Sequence, residues 1–200
     1  LVFQQGQLTI NKVASERATD WQRMVLISGK DVYSFSDGGI FRNYQHEIHS
    51  TSGGHIEAKV AILMQDSLLI TGASGLYRIN IRNEKVDQLV TGPRVFTALV
   101  SHDPRSFYAG TTLGLMRYDL STERIEDLAS RHPLLSERIV GLAFTPDGLL
   151  WIATATNGLV VVKDDRVVAH IREADGLVSN NLTTITCGET GQTWIGTSMG

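Results

Sequence analysis

Apolar positions in this chain come in short runs that close on small or polar residues. Sustained helical spacing is absent. One series of runs reads "IEAKVAILM", "VFTALVSH", "IVGLAFT" and "LTTITC". Each is followed by a second run, "LLITG", "FYAGT", "LWIAT" and "TWIGT". Then comes a segment built on glycine, a branched apolar residue and a large apolar residue: "SDGGIFRN", "GASGLYRI", "TTLGLMRY" and "ATNGLVVV". Alternating charged segments such as "RIEDL" and "RVVAHI" follow. Turn signals, Pro146-Asp147-Gly148 and Glu189-Thr190-Gly191, separate the first two runs in the later copies. Runs this short, with period-two alternation and tight turns, predict β-strands. Only Ala14 to Met24 carries a pattern compatible with a helical turn.

The anchoring glycines are Gly39, Gly75, Gly114, Gly158 and Gly200, spaced by 36, 39, 44 and 42 residues. Four strands recurring at about 40 residues are the signature of a propeller blade. The expected fold is therefore all-β: a β-propeller of four-stranded blades, with about five repeats over residues 1–200. Joining the ends gives "TWIGTSMG-LVFQQGQLTINKV", which parallels "LWIATATNG-LVVVKDDRVVAHI". That parallel predicts one blade completed by both termini, which would remove an exposed sheet edge. The alternative is a piece cut from a longer tandem array.

Composition adds exclusions. The net charge is −3 and no block of like charge stands out, which argues against a nucleic-acid partner. No apolar run reaches the length of a membrane span, so no membrane contact by this chain is expected. Cys187 is alone and forms no internal disulfide.

One stretch, "ADGLVSNNLTTITCGETGQTWIGTSMG" followed by Leu1, resembles the two-component regulator propeller repeat. The matching residues are Gly176, Leu177, Ser179, Asn180, Leu182, Ile185, Gly191, Trp194, Ile195, Gly196, Thr197 and Gly200. The preceding repeat matches at Pro146-Asp147-Gly148, Trp151, Ile152, Thr154, Gly158 and Leu159. Val178 and Ala153 depart from the pattern, and earlier repeats match only at the glycine core. The resemblance implies the extracytoplasmic, periplasmic sensor of a membrane-bound hybrid histidine kinase of Bacteroidetes type, many of which respond to oligosaccharides. It implies a non-enzymatic input module with no cofactor. Its partners would be a small-molecule or oligosaccharide ligand and a homodimer mate or following domain.

Within the repeat, Trp151 and Trp194 occupy equivalent places, with Tyr108 and Ile70 read into the same column; all are expected to wedge between sheets. Ser179-Asn180 is expected to build a turn. Function then falls to the loops. Turns between the second and third strands supply Asp37, Ser74, Thr112, Thr156, Asn157 and Ser198. Connections between blades supply His55, Arg94, Arg131, His132 and Asn180. These eleven are the candidate ligand-binding residues, with Arg94 or Arg131 suited to a carboxylate. No catalytic pair stands out and Pro146-Asp147-Gly148 reads first as a turn. The histidines of "QHEIHSTSGGH" are expected to be solvated rather than metal-bound. The competing readings are a protein-interaction scaffold, a propeller lyase or glycosidase, and an excised set of blades without a function of its own.

Overall fold

The computed structural model describes residues 2–4, 7–9, 22–36, 39–43, 46–49, 56, 58–72, 75–92, 94–188 and 190–199. The chain divides into two compact units, Leu1–Glu57 and Ala58–Gly200.

In the first unit β1 (Val2–Gln4) pairs with β2 (Gln7–Thr9). A four-stranded antiparallel sheet follows, in sequence order: β3 (Gln22–Ser28), β4 (Asp31–Ser36), β5 (Gly39–Arg42) and β6 (His46–Ile48). Met24 lies extended in β3, so the helical expectation for Ala14 to Met24 fails there; residues 14–21 lie outside the described set. The sheet register takes over from local propensity, with Met24 opposite Phe35.

The second unit holds three complete blades. The first runs β7 (Val60–Met64), β8 (Ser67–Gly72), β9 (Gly75–Asn80) and β10 (Val86–Thr91). The next is β11 (Phe96–Asp103), β12 (Ser106–Thr111), β13 (Gly114–Asp119) and β14 (Arg124–Asp127). The third is β15 (Ile139–Phe144), β16 (Leu150–Thr154), β17 (Leu159–Lys163) and β18 (Arg166–Ile171). A two-stranded sheet, β19 (Leu182–Cys187) and β20 (Thr193–Thr197), ends it. Every pairing is antiparallel between neighbours in sequence.

The first strands of successive blades lie side by side, β7 by β11, β11 by β15 and β15 by β19. Small residues permit this. A Cβ on Gly110 would come within 2.5 Å of Ile139 Cγ2, and one on Gly141 within 3.0 Å of Ile185 Cγ2. The Thr97 hydroxyl donates across the seam to the Ile139 carbonyl at 2.6 Å. The cores lie between blades. Leu69, Leu76 and Val90 pack with Phe96, Leu99, Phe107, Met116 and Tyr118. Ala98, Leu115 and Leu128 pack with Ile139, Leu142, Ile152 and Val160.

The repeat glycines open the third strands. Gly39, Gly75 and Gly114 begin β5, β9 and β13, and Gly158 immediately precedes β17. Threonine at the end of the second strand completes the turn. Thr111 Oγ1 donates to the Gly114 carbonyl at 2.9 Å and accepts from Leu113 N at 3.0 Å. Thr154 does the same with Gly158 O, at 2.7 Å, and Asn157 N, at 3.0 Å. The closure across the termini involves Leu1 and Gly200, which lie outside the described residues.

Two expectations on the aromatic column are corrected. Leu69, Tyr108 and Trp151 pair with Arg78, Arg117 and Val161, each three residues past its glycine, so Leu69 and not Ile70 is the equivalent. Trp151 is half-buried and packs against the cluster that Leu182 and Ile185 of the next sheet share with Ala143, Ala153 and Leu159, as a wedge should. Trp194 is not: it is 67% exposed. Trp151 has a following sheet to pack on, whereas no described side chain covers the corresponding face of β20.

Candidate functional site

In unit 2 the antiparallel order puts two sets of loops at one edge of the sheets. The turns joining second to third strands and the connections between blades share that edge, and hydrogen bonds lace them together. Thr112 N donates to Val95 O at 3.1 Å. Ala155 N donates to Arg138 O at 2.9 Å, and Gly158 N to Asn180 O at 2.9 Å. Ser198 N donates to Asn181 O at 2.9 Å.

Eight of the eleven predicted residues fall on this edge; Asp37, His55 and Ser74 lie outside the described residues. Several are engaged with neighbours. Arg94 is half-buried, with Nη2 3.4 Å from Asp127 Oδ2 and Nη1 3.1 Å from Met116 Sδ. Arg131 pairs with Glu126. His132 Nδ1 accepts from Leu134 N at 3.1 Å and caps the 3-10 turn Pro133–Leu135. Asn157 Nδ2 reaches Glu137 Oε1 at 3.5 Å, and its carbonyl meets His170 Nε2 at 2.7 Å. Asn180 and Glu173 clasp each other: Asn180 N donates to Glu173 Oε1 at 2.7 Å and Glu173 N to Asn180 Oδ1 at 2.9 Å. Ser179 is buried and accepts from Asn181 N at 3.1 Å, the turn role expected of it. Thr156 and Ser198 are exposed.

Sequence reasoning missed Glu137, His170 and Glu173. It also passed over the apolar content of this edge. Val95 is 47% exposed, Leu113 67%, Val178 63% and Met199 75%. Leu113 and Val178 sit in segments already read as polar loops, and their lack of a strand-partner pattern was the available signal. The edge thus offers fixed amides, hydroxyls and two guanidinium groups among exposed apolar tips.

At the far side of the blades a second polar group joins β12–β13 to the β17–β18 turn. The Tyr108 hydroxyl donates to Asp165 Oδ1 at 2.6 Å, and Arg117 Nη1 donates to Asp165 Oδ2 at 2.8 Å. Burial, and then the hydrogen bond to Asp165, push the Tyr108 phenol well above its ordinary range. A group raised in the folded state stabilises below its unfolded value, about 10 for tyrosine, and that stabilisation is lost as pH rises above it. Against Tyr108→Phe, the wild type should lose stability above about pH 10 at up to about 1.4 kcal/mol per pH unit. Urea midpoints between pH 8 and 11 check this; a constant difference between the two proteins contradicts it.

Near the sequence's histidines, His49 Nδ1 lies 3.8 Å from Glu47 Oε1. Among the described residues no cluster of three His, Cys, Asp or Glu is placed to hold a metal, and no helix is long and apolar enough to cross a membrane.

No protein-family model and no curated protein matches the chain. Solved structures do. The extracellular domain of the putative hybrid two-component system BT3049 from B. thetaiotaomicron matches over 90% of this chain, with a TM-score of 0.70 at 20% identity. The chain spans about a quarter of that domain, 26%. The WD40 β-propeller domain of Doa1 matches over 88% of this chain and 60% of its own, with a TM-score of 0.62 at 14% identity. A catalytically inactive virginiamycin B lyase from Staphylococcus aureus, solved with Quinupristin, matches over 90% of this chain and 64% of its own, with a TM-score of 0.68 at 12% identity. The chain has the β-propeller fold of these proteins. Fold at this level of identity does not decide among their activities.

Proposed function

We propose that the chain is a non-enzymatic, ligand-binding input module of a signalling protein outside the cytoplasm, reading a polar solute at the loop edge of its blades. One observation carries this. Two sets of loops are fastened together by backbone hydrogen bonds, so Arg94, Thr112, Arg131, His132, Thr156, Asn157, Asn180 and Ser198 are held on one rigid edge. Preorganised donors of both charged and neutral kinds suit an oligosaccharide or similar polyhydroxylated ligand, with an arginine for any carboxylate. The likeness to an extracellular domain of a two-component system supports the same reading. Asp37, His55 and Ser74 belong to the proposal by their place in the repeat. A homodimer mate or a following domain would receive the signal.

A second reading has its own support. Val95, Leu113, Val178 and Met199 lie exposed on the same loops, and exposed apolar side chains near a polar rim also mark protein-binding surfaces. A thermal-shift panel of neutral and acidic oligosaccharides separates the two. A ligand at a hundred times its Kd adds about 2.7 kcal/mol. A shift that Asn157→Ala or Arg94→Gln abolishes supports the sensor. Silence across the panel from a chain that melts cooperatively, with a protein partner lost on Leu113→Ser, supports the scaffold.

A further inference from the structure

At the end of the blades opposite the loop edge, a cleft of about 340 Å3 lies over the β13–β14 hairpin. Arg117, Asp119, Thr122, Arg124, Ile125 and Glu126 line it. Its volume suits a molecule of roughly monosaccharide size, at the lower end of the ordinary range for ligand sites.

The charges decide what it would take. The acidic groups already have partners. Asp119 Oδ1 accepts from Ser121 N at 2.8 Å, Ser121 Oγ at 2.6 Å and Thr122 N at 3.1 Å. Glu126 pairs with Arg131. Asp165, beside the cleft, holds Tyr108 and Arg117.

The arginines are not so satisfied. Arg124 sits across the strand pair from Asp119 and is exposed, and its side chain makes no ion pair or hydrogen bond among the described residues. Asp165 occupies only Nη1 of Arg117. The Arg117 Nε is shielded from solvent and has no hydrogen-bond partner. With Nη1 on Asp165 and Nε shielded, Nη2 is the guanidinium donor left at the cleft, on a side chain that is 34% exposed. A charged N–H donor of this kind makes short, strong hydrogen bonds to a carboxylate oxygen.

We propose that this cleft binds a small hydroxylated carboxylate, held by Nη2 of Arg117 and steered by Arg124. Neither arginine is among the loop-edge candidates, so variants at each place test each reading separately.

Calorimetric titration of the whole chain tests it. Glucuronate is the probe, with glucose and inorganic phosphate alongside. Glucuronate should bind saturably and glucose should not. Arg124→Gln should weaken binding about tenfold or more, and Arg117→Lys, which keeps the charge but loses the Nη2 donor, should weaken it comparably. Arg82→Gln, in the β9–β10 turn and in neither candidate site, should leave it unchanged. No binding up to roughly 10 mM, equal binding of glucose, or affinity indifferent to both cleft variants overturns the proposal. Preference for phosphate over glucuronate overturns the assignment of a carboxylate. A loop-edge ligand surviving in Arg124→Gln bears only on the loop edge.

Discussion

Gly75→Ala should destabilise the chain by about 3 kcal/mol or more. Two costs combine. Gly75 has a φ of 141°, which a side-chain-bearing residue rarely adopts. A Cβ there would also lie 1.9 Å from the Val90 carbonyl oxygen and 3.0 Å from its carbon. These are backbone atoms of β10, opposite the start of β9, so relief requires the outer strand to move away. Gly92→Ala is the control. Its φ is 122°, yet nothing lies within 4 Å of the added carbon. It should therefore cost only the backbone term, on the order of 1 kcal/mol. Urea unfolding of both variants measures the difference. Equal losses would show that the close approach of β10 contributes nothing.

Phe107→Ala should cost about 3–5 kcal/mol. The side chain is fully buried, and its ring stacks on Tyr118 with centroids 5.2 Å apart and planes 13° from parallel. It packs in the cluster shared by Leu69, Leu76 and Val90 of one blade and Leu99 and Met116 of the next. Its loss opens a cavity at the seam between two blades. The packing on both sides comes from fixed sheets, which collapse poorly. Phe107→Leu keeps most of the volume and should cost roughly 1.5 kcal/mol or less. A thermal melt should show the alanine variant lowered by roughly 10 °C. A loss below that of the leucine variant would mean the seam closes over the cavity.

Much of the architecture was legible because a blade is a local object. Glycine followed by a branched and a large apolar residue marks the opening of a third strand, since the turn before it requires a backbone few other residues adopt. Those spacings alone locate β5, β9, β13 and β17. The register was less legible. Leu69 and Ile70 are both apolar and both buried, so only the pairing of Leu69 with Arg78 shows which belongs in the column with Tyr108 and Trp151. Trp194 carries the motif of a wedge, but burial depends on the surface opposite it.

The candidate edge was legible as topology and obscure as chemistry. Thr112, Thr156 and Ser198 follow from counting strands. That Asn180 would be clasped by Glu173, or that Asn157 would sit between Glu137 and His170, depends on pairings no local pattern announces. The joint of Tyr108, Arg117 and Asp165 is similar: its members are 48 and 57 residues apart in the chain. A faint trace of it existed in arginine recurring three residues past Gly39, Gly75 and Gly114. Where the fourth copy has Val161 instead, the trace breaks.

In unit 2 every strand pairs within its sheet only with strands next to it in sequence, and the first strands of successive sheets lie side by side. Each hairpin within a blade therefore closes only a short loop, and pays little entropy before its own contacts reward it. Acquisition of structure can begin at the hairpin with the tightest turn and spread blade by blade, as in a linear array of coupled units. Two rate effects follow from that order. A lesion at the Phe107 seam would interrupt the spread between neighbours, whereas one at the Gly75 turn would slow the start of a single blade.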